Sequence, residues 1–331
     1  MTRYILKRLF WVVAILVLVT FFTFVIFFKL SPDPAASICG QTCTPDRIAT
    51  IREQLGLNEP FLVQFGTFFA GLFAGRTYGE GASAVQCAAP CLGYSFQSGQ
   101  SVLDGIIQRL PVSITIAVGA AVLWLLSGIC AGVISAIKQG TIWDKGAMMF
   151  ALAGISLPNY FFALVLQYLL VVQLQWLPFP AVVPFGENPV QWFQAYLMPW
   201  LVLALMYASM YARLTRTNVI DTMQENYIRT ARAKGLAESK VLLKHGLRPA
   251  LVPIVTLLGI DFATLLGGAL ITETVFGLNG IGRYAYDAIS VNDQPVIMGV
   301  TLVAAFAVVV ANLIVDLLYK VMDPRVRVAS S

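Results

Sequence analysis

Several apolar runs in this chain are long enough to cross a bilayer, and that feature restricts its fold more than any other. A helical span needs about 20 consecutive, mostly apolar residues, because inside hydrocarbon the helix satisfies its own backbone groups. Five runs meet this length: Leu9–Phe28, Ile114–Ile137, Ala147–Leu174, Leu197–Tyr211 with its apolar approach, and Val296–Tyr319. A sixth, Leu251–Ile271, is long enough although Asp261 and glycines interrupt it. Charged residues make up only 12% of the chain and mean hydropathy is +0.77. A soluble domain carries roughly twice that charged fraction. The expected class is an all-α polytopic membrane protein with six transmembrane helices.

The basic residues orient the spans. With the N-terminus inside, sixteen of the 22 Lys and Arg fall on cytoplasmic segments: Arg3, Lys7 and Arg8, then Lys138 and Lys145, eight in a central insert, and Lys320, Arg325 and Arg327. Lys/Arg excess marks the cytoplasmic side, so both termini are expected in the cytoplasm of a multi-pass cell-membrane protein. The first span, within residues 1–30, reads as an uncleaved anchor because its apolar run is too long for a signal peptide and no small-residue cleavage site follows. The basic residues flank spans instead of covering a folded face, so membrane lipid is a partner and nucleic acid is not.

Residues 31–110 are the one large extracytoplasmic segment. Ser31-Pro-Asp-Pro34 stops the first helix, and Thr44-Pro45 starts another that ends near Gly56. Pro60–Phe73 is apolar and aromatic but too short to span, which predicts a helix in the outer interface or packed on the bundle. Gly75–Gly99 reads as loop. Cys39, Cys43, Cys87 and Cys91 all lie in this outer segment. An oxidising exterior favours disulfides over a metal quartet, with pairing between the two clusters expected over pairing within each. Cys130, inside the second span, reads as a small buried apolar residue.

Residues 111–331 form the core, interrupted at about 213–250 by the polar insert. Its apolar positions Met223, Tyr227/Ile228, Ala231, Val241 and Leu242 recur at helical spacing, with Gly235 between two halves. That predicts two short amphipathic helices turning at a glycine with positive φ. Ser156-Leu-Pro-Asn159 predicts a break or kink in the third span. Asp261 is the clearest ionisable residue at membrane depth, a position that is costly and marks a translocation path or a charged neighbour.

The sequence contains no phosphate-binding G-x-x-x-x-G-K-[ST] loop, its single His245 has no metal-spaced companion, and its outer carboxylates show no acid–base pairing. An enzyme is excluded on this reading: no catalytic residue, metal or cofactor is expected on the chain. A stand-alone channel or secondary transporter predicts internal repeats or several intramembrane charges, and neither is found. A receptor or scaffold would not require the central elbow.

The elbow resembles the cytoplasmic EAA loop of permeases in the dipeptide/oligopeptide/nickel ABC importer family. Its Tyr227-Ile-Arg-Thr-Ala-Arg-Ala-Lys-Gly235-Leu places Arg229-Thr-Ala231 where the general pattern has Glu-Ala-Ala. Ala231 and Gly235 agree with that pattern. Further matches run along the chain: Arg52–Pro60 with Gln64, Arg109-Leu-Pro111, Ser156-Leu-Pro158, Thr272–Phe276 with Gly280-Ile-Gly282, and Asn312, Asp316, Tyr319 and Asp323-Pro-Arg325 near the end. Arg76–Pro90, carrying Cys87, reads as an insertion. The resemblance implies a type I importer fold, an anchor plus a five-helix core. It also implies a homologous second permease, two ATPase subunits that hold ATP and Mg, and an extracytoplasmic solute-binding protein. Arg229, Ala231, Arg232, Ala233, Lys234, Gly235 and Leu236 would then contact an ATPase subunit. Short peptides are the first expectation for the cargo, with nickel or another small solute as alternatives.

Overall fold

A computed structural model describes residues 2–30, 35–36, 44–54, 56–78 and 84–322. In chain order the helices are α1 (Thr2–Phe24, continued by a π turn Val25–Lys29), α2 (Pro45–Gln54) and α3 (Phe61–Ala74). Two short hairpins follow, β1 (Arg76–Tyr78) with β2 (Val85–Cys87) and β3 (Tyr94–Ser95) with β4 (Gln100–Ser101). Then come α4 (Val102–Ile137), α5 (Ile142–Ser156), α6 (Asn159–Gln167, continued by a π turn Tyr168–Gln173) and α7 (Pro189–Met223). The rest is α8 (Asn226–Ala233), α9 (Glu238–Ala250), α10 (Val252–Leu266), α11 (Leu270–Val275), α12 (Ile281–Ser290) and α13 (Gln294–Met322). Four helices are long and apolar enough to cross a membrane, and six spans result if the bent pairs α5/α6 and α9/α10 each count as one.

The break between α5 and α6 has a local cause. Pro158 has no N–H and its ring pushes the preceding residue out of the helical region. Leu157 accordingly lies at ψ 128°, and α5 and α6 diverge by 99° at the site predicted to break. At the start of α7, Asn188 accepts a hydrogen bond from the Gln191 N–H (3.1 Å) and Pro189 occupies the first turn. Both are established helix-start chemistry.

The chain forms two compact units. One comprises residues 1–113, 266–270 and 279–310. Here α1 and α3 join through an aromatic stack in which Phe24 and Phe68 pack with Met298 and Leu302 of α13. The hairpins overturn the expectation of loop over Gly75–Gly99: Tyr78, Cys87 and Cys91 bury a small core with Ile51 of α2. Their aromatic residues let short strands cover one apolar face. The β3–β4 turn is tied by Ser95, which donates to the Asp293 carboxylate, and by Gln97 Nε2 to the Val291 carbonyl (3.0 Å). Arg109 reaches Asn279 (3.2 Å) and lies 4.1 Å over the Tyr284 ring.

The cysteine pairing also departs from expectation. Cys87 is bonded to Cys91, a pairing within one cluster, because the reversal between them brings their Cα atoms to 5.5 Å, inside disulfide reach. Cys39 and Cys43 lie outside the described residues, as does Ser31-Pro-Asp-Pro34.

The second unit comprises residues 114–265, 271–278 and 311–331. Its α4 and α7 approach closely at Gly128 and Gly132, spaced as a small-xxx-small pair. A Cβ at 132 would stand 2.5 Å from the Ala212 carbonyl oxygen, so any side chain there would force the helices apart. Cys130 is two residues from both glycines and thus on the opposite side of α4. It is exposed, not buried as expected.

Candidate functional site

The polar insert folds as an elbow of two arms, α8 and α9. Gly235 makes the turn at φ +76°. Its N–H donates to the Arg232 carbonyl (2.9 Å), and the Leu236 N–H reaches the Ala231 carbonyl (3.4 Å). This pair of bonds with glycine in the left-handed position is a Schellman ending, which uses carbonyls that a helix terminus otherwise leaves unsatisfied. Leu236 then packs on a small core of Ile228, Ala231 and Val241, joined by Met223. A Cβ at 235 would meet nothing within 4 Å, so the need for glycine lies in the backbone angle alone.

Arg232 closes the elbow across its opening. Its Nε and Nη2 donate to the two Glu238 oxygens at 3.0 and 2.5 Å. Hydrogen bonding to Glu238 holds the guanidinium's pKa above its usual value. Such an exposed pair adds little stability, but its two-point geometry defines the angle between the arms.

Of the residues singled out from the sequence, Arg229, Arg232, Ala233, Lys234 and Gly235 are exposed on the elbow, and Leu236 is half-buried. Ala231 differs: it is buried, and its small side chain lets α8 lie close on Val241 of this same chain. Of the two alanines expected to contact an ATPase subunit, Ala233 alone is exposed. Arg232, expected to contact an ATPase subunit, already holds Glu238.

The elbow is seated on the spans of its own unit. Gly246 of α9 lies so near Met223 that a Cβ would come within 2.7 Å of its sulfur. Asn218 of α7 donates to the Ala250 carbonyl (3.2 Å). Between the elbow and the ends of α4 and α7 lies a cleft of about 560 Å³, lined by Ile137, Val219, Met223, Arg232, Glu238 and Leu242 among others.

One residue at this end was not singled out by sequence reasoning. Asp144, buried in the first turn of α5, receives Arg216 Nε and NηH2 (2.7 and 2.9 Å), the Ser135 hydroxyl (2.5 Å) and the Gly140 N–H (2.8 Å). The network joins α4, the 138–141 turn, α5 and α7 at one carboxylate. The available signal was that Asp144 is the only carboxylate between Asp104 and Glu187.

Asp261 has a different setting. It is the only ionisable side chain of α10 and is half-buried. Tyr211 of α7 donates to its Oδ2 at 2.7 Å. Tyr211 itself is fully buried beside Trp124, whose indole packs 4.6 Å from the half-buried Tyr207 ring. Asp316 of α13 has a side chain outside the described residues.

The chain matches two family models. Residues 128–328 match the binding-protein-dependent transport system inner membrane component, and residues 1–117 match the N-terminal region of such membrane components. A Brucella abortus (strain 2308) protein named for a peptide transport system permease is 37% identical over 99% of both chains. The dipeptide transport system permease protein of Alkalihalophilus pseudofirmus is 33% identical, covering 99% of this chain and 100% of its own. The glutathione transport system permease protein of Escherichia coli O6:H1 is 34% identical over 99% of each. Among solved structures, a chain of the inward-facing methionine ABC transporter MetNI superposes with a TM-score of 0.52. It covers 67% of this chain and 97% of its own at 15% identity, a likeness of fold.

Proposed function

The chain belongs to the family of binding-protein-dependent transport system inner membrane components, and on that premise we propose that it moves short peptides into the cell by alternating access. It is a multi-pass inner-membrane protein and a permease subunit of an ABC importer. The relatives named for peptide, dipeptide and glutathione transport favour a peptide cargo over nickel or another small solute. A homologous second permease completes the path, two ATPase subunits supply ATP hydrolysis, and a solute-binding protein delivers cargo on the far side. Both termini and the elbow lie in the cytoplasm, in keeping with the distribution of Lys and Arg. The exposed apolar side chains of α6, among them Phe161, Leu164 and Tyr168, face lipid or the second permease.

The observation that carries the mechanism is the seating of the elbow. Its exposed residues Arg229, Ala233, Lys234 and Gly235 meet an ATPase subunit, while its buried residues lock it to α7. The Asp144–Arg216 network ties α7 in turn to α4 and α5. Closure of the ATPase dimer on ATP therefore moves the elbow as a lever, and the helices rock as a block around the path. Asp261 stands on that path.

Gly235→Val tests this. A β-branched residue at φ +76° costs roughly 1–2 kcal/mol and opens the Schellman turn. Membrane insertion is expected to survive, because the spans are untouched. Peptide uptake and the ATP hydrolysis coupled to it are expected to fall in the reconstituted transporter. A variant that keeps full coupled hydrolysis would show that the elbow does not transmit the stroke.

A further inference from the structure

We propose that Asp261 is a recognition point for the protonated α-amino group of the travelling peptide, which supplies the positive charge that the protein itself leaves out. The proposal rests on the peptide-importer reading above. It begins from an imbalance of charge. A carboxylate among apolar residues at membrane depth is costly unless water, a cation or several donors compensate it. Asp261 has one donor, the neutral Tyr211 hydroxyl, on one of its two oxygens, and it has no ion pair among the described residues. Asp144, in the same unit, shows what compensation by the protein's own groups looks like: a bidentate guanidinium, a hydroxyl and a backbone N–H.

The surroundings of Asp261 select the kind of cation. Tyr211 and Tyr207 stand one turn apart on α7, and Trp124 of α4 packs against both rings. Tyr207 is half-buried and Asp261 is half-buried, so both can be reached, whereas Trp124 and Tyr211 are fully buried and hold them in place. A carboxylate beside aromatic rings fits a compact primary ammonium, which donates to the free oxygen while its charge lies against a ring face. Every unblocked peptide carries that group at its N-terminus. A fixed Lys or Arg from the second permease is the other source of the same chemistry, and the test separates the two.

The complete transporter, with both permeases, the ATPases and the binding protein, is reconstituted in vesicles. Alanylalanine and N-acetyl-alanylalanine are the probes, each at a concentration that saturates the binding protein. Asp261→Asn is expected to lower the ratio of alanylalanine to N-acetyl-alanylalanine uptake about tenfold, the low end of what a charge-assisted hydrogen bond is worth. Asp261→Glu is expected to restore most of the ratio, and the second permease is expected to co-purify with every variant in unchanged proportion. An unchanged ratio would overturn the proposal, whether both uptakes fall together or neither falls. Loss of the second permease from the Asp261→Asn complex would overturn it in favour of a fixed cation across the subunit contact. Wild-type vesicles that hydrolyse ATP but carry neither probe would refute the peptide reading itself, and the amine site with it.

Discussion

Asp144 and Asp261 are both carboxylates on apolar helices of one compact unit, yet the protein treats them in opposite ways. Around Asp144 the oxygens are supplied from α4, α7 and the turn before α5, including two donors from one guanidinium. Around Asp261 a single tyrosine hydroxyl is supplied. The first arrangement fastens helices together, since removing either charge strands the other. The second leaves a half-buried carboxylate with one neutral donor, the ground for the amine site proposed above. The number and charge of the donors around an acid thus distinguish the fastener from the proposed recognition point, where position in the sequence does not.

The largest expected effect comes from unpairing the fastener. Arg216→Ala leaves Asp144 buried without its cation and is expected to destabilise the unit by about 3–5 kcal/mol, read as a lower midpoint of thermal unfolding in detergent. A loss below about 1 kcal/mol would place this pair among weak surface bridges. Replacing both partners, Asp144→Leu with Arg216→Leu, is expected to recover most of that loss, because no charge is then left to desolvate. If the double variant is as unstable as Arg216→Ala alone, the hydroxyl and backbone contacts hold the corner instead.

Asp261→Asn is expected to change stability by less than about 1 kcal/mol, since the amide carbonyl still accepts from Tyr211. The same unfolding measurement checks it. A destabilisation as large as that of Arg216→Ala would erase the contrast, and Asp261 would be a fastener too.

The smallest effect concerns a third carboxylate, Asp293, which lies outside the spans. Burial pushes its pKa above the ordinary carboxylate value, while the Ser95 hydroxyl and the Val296 N–H pull it the other way. A raised folded-state pKa means that the folded protein holds the proton more tightly than the unfolded chain. The stabilisation is therefore full in acid, below the unfolded value, and is lost as pH rises through the raised folded value. Unfolding midpoints of wild type and Asp293→Asn, compared at about pH 4 and about pH 7, are expected to show the wild type losing ground relative to the variant at the higher pH. A difference that runs the other way would mean that donors outweigh burial at Asp293.

Much of the architecture was legible in the residues. Apolar run length marked the spans, Pro158 marked the break before α6, and Thr44-Pro45 marked the start of α2. The elbow was readable down to its turning residue, because a glycine between two amphipathic stretches and a left-handed φ are properties of adjacent residues. The cysteine pairing, the hairpins, the inward turn of Ala231 and the outward face of Cys130 were not readable. Each depends on which surfaces come together, and spacing along the chain leaves that open.

The two aspartates show where the boundary falls. Sequence by itself determined that charged groups stand in apolar helices and that such groups need compensation, since that follows from solvation. Only the tertiary structure decided how the need is met. The Arg216 guanidinium reaches Asp144 across 72 positions and the Tyr211 hydroxyl reaches Asp261 across 50. Hydrogen bonds act over about 3 Å, so partners that far apart in the chain become visible only once the helices carrying them have packed.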